Sequence, residues 1–224
     1  MENRVFLLKK LVQKGSIEDG SLIRRISMKN TKVQKMVAVA LFAAMGVILQ
    51  YVAFPVIPAF AFMKVDFSDI PVMLSMFLFG PMAGIATAFI RSLLHLLTTG
   101  LELSNLVGDI ASFFASSLFT LPMYYFFKGK NKIGNKVLGV SSGILAMTIF
   151  MSIANYFVIT PVYLSVLGLT ADKMLGVSLA QYIAIGVVPF NLLKGAIVSA
   201  AFLVIYTKLL PFLEQKRRKQ QHIG

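Results

Sequence analysis

Six polar side chains fall inside or beside otherwise apolar runs of this chain, and their types set the chemistry open to it: Arg91, His95, Asp109, Asn155, Asn191 and Lys194. Such groups are costly in a bilayer, so each needs a partner, a cavity or a ligand. In Pro189-Phe190-Asn191-Leu192-Leu193-Lys194, the amide and the ammonium are three residues apart and share a helical face. Together they can donate hydrogen bonds to carbonyl oxygens or ring nitrogens of a small molecule. The structural alternative is that Lys194 snorkels or pairs with Asp66 or Asp69. Asn155 is followed by Tyr156 and Phe157, while Phe60, Phe62 and Phe67 lie in a mixed polar-apolar segment. Rings beside a few amides suit a flat, polar-edged ligand, although aromatic residues also populate the membrane interface.

The remaining polar positions have structural readings. Arg91 is expected to pair with Asp109 or Glu102 and fix the packing of two helices. His95 has no second histidine at ligand spacing and no HExxH motif, so no metal is predicted. With no cysteine, disulfides and thiolate-held metals are excluded. There is no GxxxxGK[ST] for ATP hydrolysis, no recognisable serine–histidine motif and no paired helical carboxylates, so no catalytic residue is assigned and the chain is not expected to be an enzyme.

The elements that must hold these residues follow from hydropathy. At 57% hydrophobic and 14% charged, 224 residues carry too much apolar surface for a water-soluble domain. The reading is an all-α integral membrane protein. Apolar runs predict six transmembrane helices over 33–54, 70–79, 82–97, 106–127, 137–159 and 183–210, with loops 55–69 and 160–181 on the outer side. The second run is short and stops at Gly80-Pro81, which is read as a turn joining two helices of a hairpin. On helix 1, Ala40 and Ala44 are one turn apart, with Ala43 and Gly46 beside them, a small-residue face that lets another helix approach.

Charge supplies the orientation. Of 22 Lys and Arg residues, 9 lie in 4–35, 4 in 128–136 and 5 in 208–219, so most of the basic residues fall in segments that an even number of crossings leaves on one side. By the positive-inside rule that side is the cytoplasm, and both termini lie there. The formal charge of +13 is thus a topology signal, and no nucleic-acid partner is expected because the basic residues flank apolar runs. Residues 1–29 are read as a basic extension, disordered or lying on the membrane surface, with Met28 resembling a natural start. Residues 30–215 form the membrane domain and 216–224 a basic cytoplasmic tail. No sequence repeat supports a two-half transporter.

The stretch Lys64-Val-Asp66-Phe-Ser-Asp69-Ile-Pro71, then Phe79-Gly80-Pro81, Arg91-Ser-Leu-Leu-His95, Asn155 and Pro189-Phe-Asn191-Leu-Leu-Lys194 resembles the substrate-binding S components of energy-coupling factor (ECF) transporters. It resembles the riboflavin-specific group most, over roughly residues 30–215. The resemblance implies the six-helix ECF S-component fold and a multi-pass subunit of a bacterial plasma membrane. It also implies an ECF coupling protein and two ABC-type ATPases as partners. Riboflavin is then the transported ligand and not a cofactor, with FMN bound weakly at best. By match of pattern, Asn155, Asn191 and Lys194 would bind the flavin, with Met63, Lys64 and Asp66 in a capping loop. Ala40 and Ala44 would meet the coupling protein. The alternatives are an S component for thiamine, folate or pantothenate, or a polytopic membrane enzyme or channel.

Overall fold

The computed structural model describes residues 32–128 and 132–221. The extension read over 1–29 therefore lies outside the described residues, as does the end of the tail from 222. The chain divides into two units, Met1–Ala38 and Val39–Gly224. Of the first, residues 32–38 are described, and all are helical. Apart from those first turns of helix, everything discussed below lies in the second.

Helix α1 runs Lys32–Tyr51. It stops three residues before the expected 54, because the chain turns extended ahead of Pro55, whose ring disfavours helical geometry in the preceding residue. Strands β1 (Phe54–Pro55) and β2 (Lys64–Val65) pair antiparallel, Phe54 opposite Val65 and Pro55 opposite Lys64. Between them Pro58–Phe60 makes one 3-10 turn. The segment from 52 to 68 is thus a folded loop.

Next come α2 (Asp69–Phe79), α3 (Pro81–Thr99) and α4 (Leu103–Phe127). Gly80 has φ 98°, a left-handed value that favours glycine, and Pro81 starts α3, where its missing N–H costs nothing. The Thr87 hydroxyl donates to Ser75 Oγ at 2.7 Å, and Arg91 meets Asp69 at 2.9 Å. Contacts that retreat evenly from Gly80 define an antiparallel hairpin, as expected from the Gly-Pro pair.

Helix α5 (Ile133–Ala154) passes through a π-helical turn, Asn155–Ile159, into α6 (Thr160–Leu167). The short α7 (Ala171–Leu175) and α8 (Leu179–Tyr182) follow, α8 starting on a capping box between Ser178 and Gln181. A second π turn, Ile183–Val187, leads into α9 (Val188–Gln221). The fifth and sixth predicted helices are therefore longer than expected, and much of the segment 160–181 is helical rather than loop. The reason is local: Pro161 and Pro189 each lack an N–H and crowd the carbonyl four residues back, at Phe157 and Ile185. Both carbonyls fall inside a π turn, whose wider winding lets the helix continue past the proline.

Among the described residues, five helices are long and apolar enough to cross a membrane: Lys32–Tyr51, Pro81–Thr99, Leu103–Phe127, Ile133–Leu167 and Leu179–Lys208. The second predicted crossing, α2, has only 11 residues, and Val72, Met73 and Met76 on it are fully buried. A helix that is apolar all round belongs inside a bundle. It packs on α3, α4 and α9. The core joins α2, α4, α5 and α9 through Met73, Phe119, Phe127, Met147, Val198 and Phe202. Glycines allow α5 its close approaches: a Cβ on Gly143 would strike the Phe119 carbonyl, and one on Gly195 would come within 2.7 Å of Ile144. Lys128 lies over the Tyr124 ring and Lys136 over Tyr206, so these lysines and the Tyr206 turn of α9 sit at one end of the bundle, away from the folded loop that packs on Tyr182 and Gly186.

Candidate ligand site

The loop end of the bundle collects the predicted polar residues. Asn191 is buried one turn into α9, and its Nδ2 donates to the Val187 carbonyl at 2.8 Å. Asn155 opens the first π turn, also buried; its Nδ2 donates to the Met151 carbonyl at 2.8 Å, and its Oδ1 accepts from the Thr160 hydroxyl at 3.3 Å. The two π turns pack against each other, which brings Asn155 toward the start of α9. π turns recur at functional sites because they displace side chains from the regular helical path. Each amide is thus satisfied by its own helix while its carbonyl oxygen and second hydrogen retain bonding capacity.

Lys194 pairs with Asp66 of the loop, Nζ to Oδ2 2.9 Å. The structural reading of this lysine and its place beside Asn191 are therefore both present in one geometry. The Ser68 backbone N–H also donates to Asp66 Oδ1 at 2.9 Å. Burial pushes the Asp66 carboxyl up, but the Lys194 charge and the Ser68 hydrogen bonds outweigh it and hold the pKa at about 2, below the ordinary 3.8. A depressed carboxylate stabilises the fold above its unfolded pKa, and that contribution fades as pH falls through the folded value. Wild type is accordingly expected to melt above Asp66→Asn at pH 7, with the gap shrinking from about pH 4 toward pH 2. A gap that stays constant over that range would remove the ion pair from the account.

Above these residues the loop is packed shut. Phe60 is buried edge-on to Tyr182, ring centroids 5.3 Å apart, and a Cβ on Gly186 would come within 3.0 Å of the Phe60 ring. Met63 is half-buried, its sulfur 3.9 Å from the Tyr182 hydroxyl that donates to it. Lys64 is different: strand alternation buries Val65 and leaves Lys64 exposed. Ala40 and Ala44 are exposed on α1, whereas Val39, Ala43 and Gly46 face inward.

The expected pairing of Arg91 is corrected. Its Nη1 donates to Asp69 Oδ1 and to Ser68 Oγ, each at 2.9 Å, and its Nη2 to Ser116 Oγ at 2.9 Å and Ser112 Oγ at 3.1 Å. Ser116 itself donates to Asp69. Asp109 instead takes His95 Nδ1 at 2.8 Å. The hairpin decides this, since it lays α3 back along α2 and puts Asp69 opposite Arg91. Ser112 and Ser116, one turn apart on α4, were legible as a pair of hydroxyls on one helical face, but not as ligands of Arg91. No group of three or more His, Cys, Asp or Glu side chains arranged to hold a metal occurs among the described residues.

A separate apolar groove of about 400 Å³ opens between α4 and α5, lined by Ile110, Phe114, Phe150, Ile153 and Phe157 among others. It holds none of the polar residues above, so it has nothing with which to orient a hydrogen-bonding ligand.

Similarity to known proteins follows the same outline. A family model described as "ECF transporter, substrate-specific component" matches residues 34–206. The riboflavin transporter FmnP of Bacillus subtilis (strain 168) is 35% identical over 191 residues, which is 85% of this chain and 100% of that protein. The riboflavin transporter RibU of Staphylococcus aureus (strain TCH60) is 33% identical over 192 residues, 86% of this chain and 97% of that protein. A solved structure reported under "Structure and mechanism of the S component of a bacterial ECF transporter" superposes with a TM-score of 0.66 at 31% identity, covering 81% of this chain and 98% of that one.

Apolar helices of spanning length make this a helical membrane protein, and the family match places it among substrate-specific transport components. The chain belongs to the ECF transporter substrate-specific component family.

Proposed function

We propose that this chain captures riboflavin at the outer face of a bacterial plasma membrane and carries it inward as the S component of an ECF transporter. The observation that carries the reading is the joint placement of Asn155, Asn191 and the Lys194–Asp66 pair under one packed loop, in a chain whose relatives are named riboflavin transporters. Two amides and an ammonium can meet the carbonyls and ring nitrogens of an isoalloxazine, and Phe60, Met63 and Tyr182 offer apolar and aromatic faces to its plane. The folded loop faces outward on this reading, and the end bearing Lys128 and Lys136 faces the cytoplasm.

The Lys194–Asp66 ion pair ties the loop to α9 and uses one of the three ammonium donors, which leaves two for a flavin. Energy comes from outside the chain: a membrane coupling protein and two ATPases drive delivery, and Ala40 and Ala44 supply the flat face on which the coupling protein rests. Riboflavin is cargo, and no cofactor is part of the reading. The predicted site has no arginine cluster to take a phosphate, which makes FMN a weaker ligand than riboflavin.

The test is the visible absorption of protein purified alone in detergent, with mass spectrometry of what heat releases. A flavin spectrum and a released mass matching riboflavin, near one per chain, support the reading. A colourless protein that also ignores added riboflavin defeats it, and any other vitamin mass names the replacement. Within the site, Asn191→Ala or Lys194→Ala is expected to weaken riboflavin binding by ~1–3 kcal/mol each, the usual cost of leaving a buried partner unpaired. Unchanged affinity in both moves the pocket elsewhere. Riboflavin is excited in the visible, where the protein itself does not absorb, so the change in flavin fluorescence follows the titration.

A further inference from the structure

Thr148 on α5 is buried, and its Oγ1 has no hydrogen-bond partner among the described residues. A helical threonine or serine ordinarily turns its hydroxyl to the carbonyl one turn back. Thr120 does so to Ser116, and Ser152 does so to Thr148 itself, both at 2.8 Å. Thr148 does not. Its hydroxyl is left with a donor and an acceptor unused in a low-dielectric interior, where an unmade hydrogen bond is costly.

Its depth follows from the packing of α5 on α9. Ile144 lies against Gly195, and farther toward the loop the two π turns meet, so the helices run antiparallel. One turn from the Ile144–Gly195 contact toward the loop end is Thr148 on α5 and Asn191 on α9. Thr148 also lies two turns before Asn155, on the same helical face. The unpaired hydroxyl therefore stands level with one predicted ligand residue and in line with another.

We infer that Thr148 is a further ligand-contacting residue, its hydroxyl hydrogen-bonding the bound molecule at the depth of Asn191. This rests on the riboflavin reading above. A buried polar group that finds its partner only in the ligand also acts in specificity, because an analogue without the matching atom leaves it unpaired again. Ser199, the other buried hydroxyl without a partner among the described residues of these two helices, lies two turns beyond Asn191 in the direction away from the loop, and it serves as the control.

The experiment compares wild type with Thr148→Val, Thr148→Ser and Ser199→Ala, measuring riboflavin Kd by flavin fluorescence and melting of the ligand-free protein by circular dichroism. Valine keeps the shape and removes the hydroxyl. The expected result has opposite signs in the two readouts: about tenfold weaker binding, with ligand-free melting unchanged or raised because an unsatisfied group has gone. Thr148→Ser is expected to stay within about threefold of wild type, and Ser199→Ala to bind normally. Wild-type affinity in Thr148→Val overturns the inference, as does a loss of affinity that tracks a lowered ligand-free melt in both valine and serine variants. If wild type itself binds no riboflavin, the ligand reading fails and takes this inference with it.

Discussion

Arg91→Ala is expected to cost about 3–5 kcal/mol, the range for breaking a buried ion pair, and to leave little folded protein after extraction in detergent. Arg91 is fully buried, and its guanidinium bonds Ser68 and Asp69 at the start of α2 and Ser112 and Ser116 on α4. Its aliphatic stem fills the space beside Gly46, where a Cβ would come to 3.0 Å of Arg91 Cδ. One side chain therefore joins α1, the loop, α2 and α4. Alanine removes all of these contacts and strands the Asp69 carboxylate in the interior. Arg91→Lys keeps the charge but loses the planar fork that reaches two segments at once, so it should recover only part of the stability. The double variant Arg91→Leu with Asp69→Leu removes both charges and should melt above Arg91→Ala. Melting followed by circular dichroism decides, and an Arg91→Ala protein as stable as wild type would refute the role.

Ala40→Trp and Ala44→Trp are expected to abolish cellular riboflavin uptake while leaving riboflavin binding to the purified protein intact. Both alanines are exposed on α1, beside the exposed Leu41, Met45 and Ile48, so an indole there meets no side chain of the fold that must move. What it does meet is the proposed coupling protein, held away by a bulky ring where close approach needs small residues. The signature separates docking from folding, because a folding defect would lower binding too. Labelled riboflavin uptake in cells dependent on the vitamin is the assay, and normal uptake in both variants would remove α1 as the docking face.

Some of this was legible in the chain. Gly80-Pro81 announced a helix hairpin, since a positive φ and a ring that starts a helix are properties of those residues wherever they stand. Asn191 and Lys194 were legible as a pair because their spacing alone puts them on one face. The π turns were not. They answer Pro161 and Pro189, and a proline in sequence reads first as a helix end; whether the helix stops or widens depends on what packs around the freed carbonyl. The 11 residues of α2 fall short of an ordinary spanning length, and an apolar run of that length looks the same whether lipid or protein surrounds it.

By itself the sequence determined residence in a membrane, the places of the long helices and the separation of the basic segments from the loop. These follow from hydropathy and charge, which act on a segment regardless of what it later touches. Only the tertiary structure decided the pairings: Arg91 with Asp69 and not Asp109, Lys194 with Asp66 across 128 positions, and the Thr148 hydroxyl with no partner among the described residues. Hydrogen bonds and buried ion pairs form over about 3 Å, and which groups come that close is set by how helices remote in sequence pack against each other.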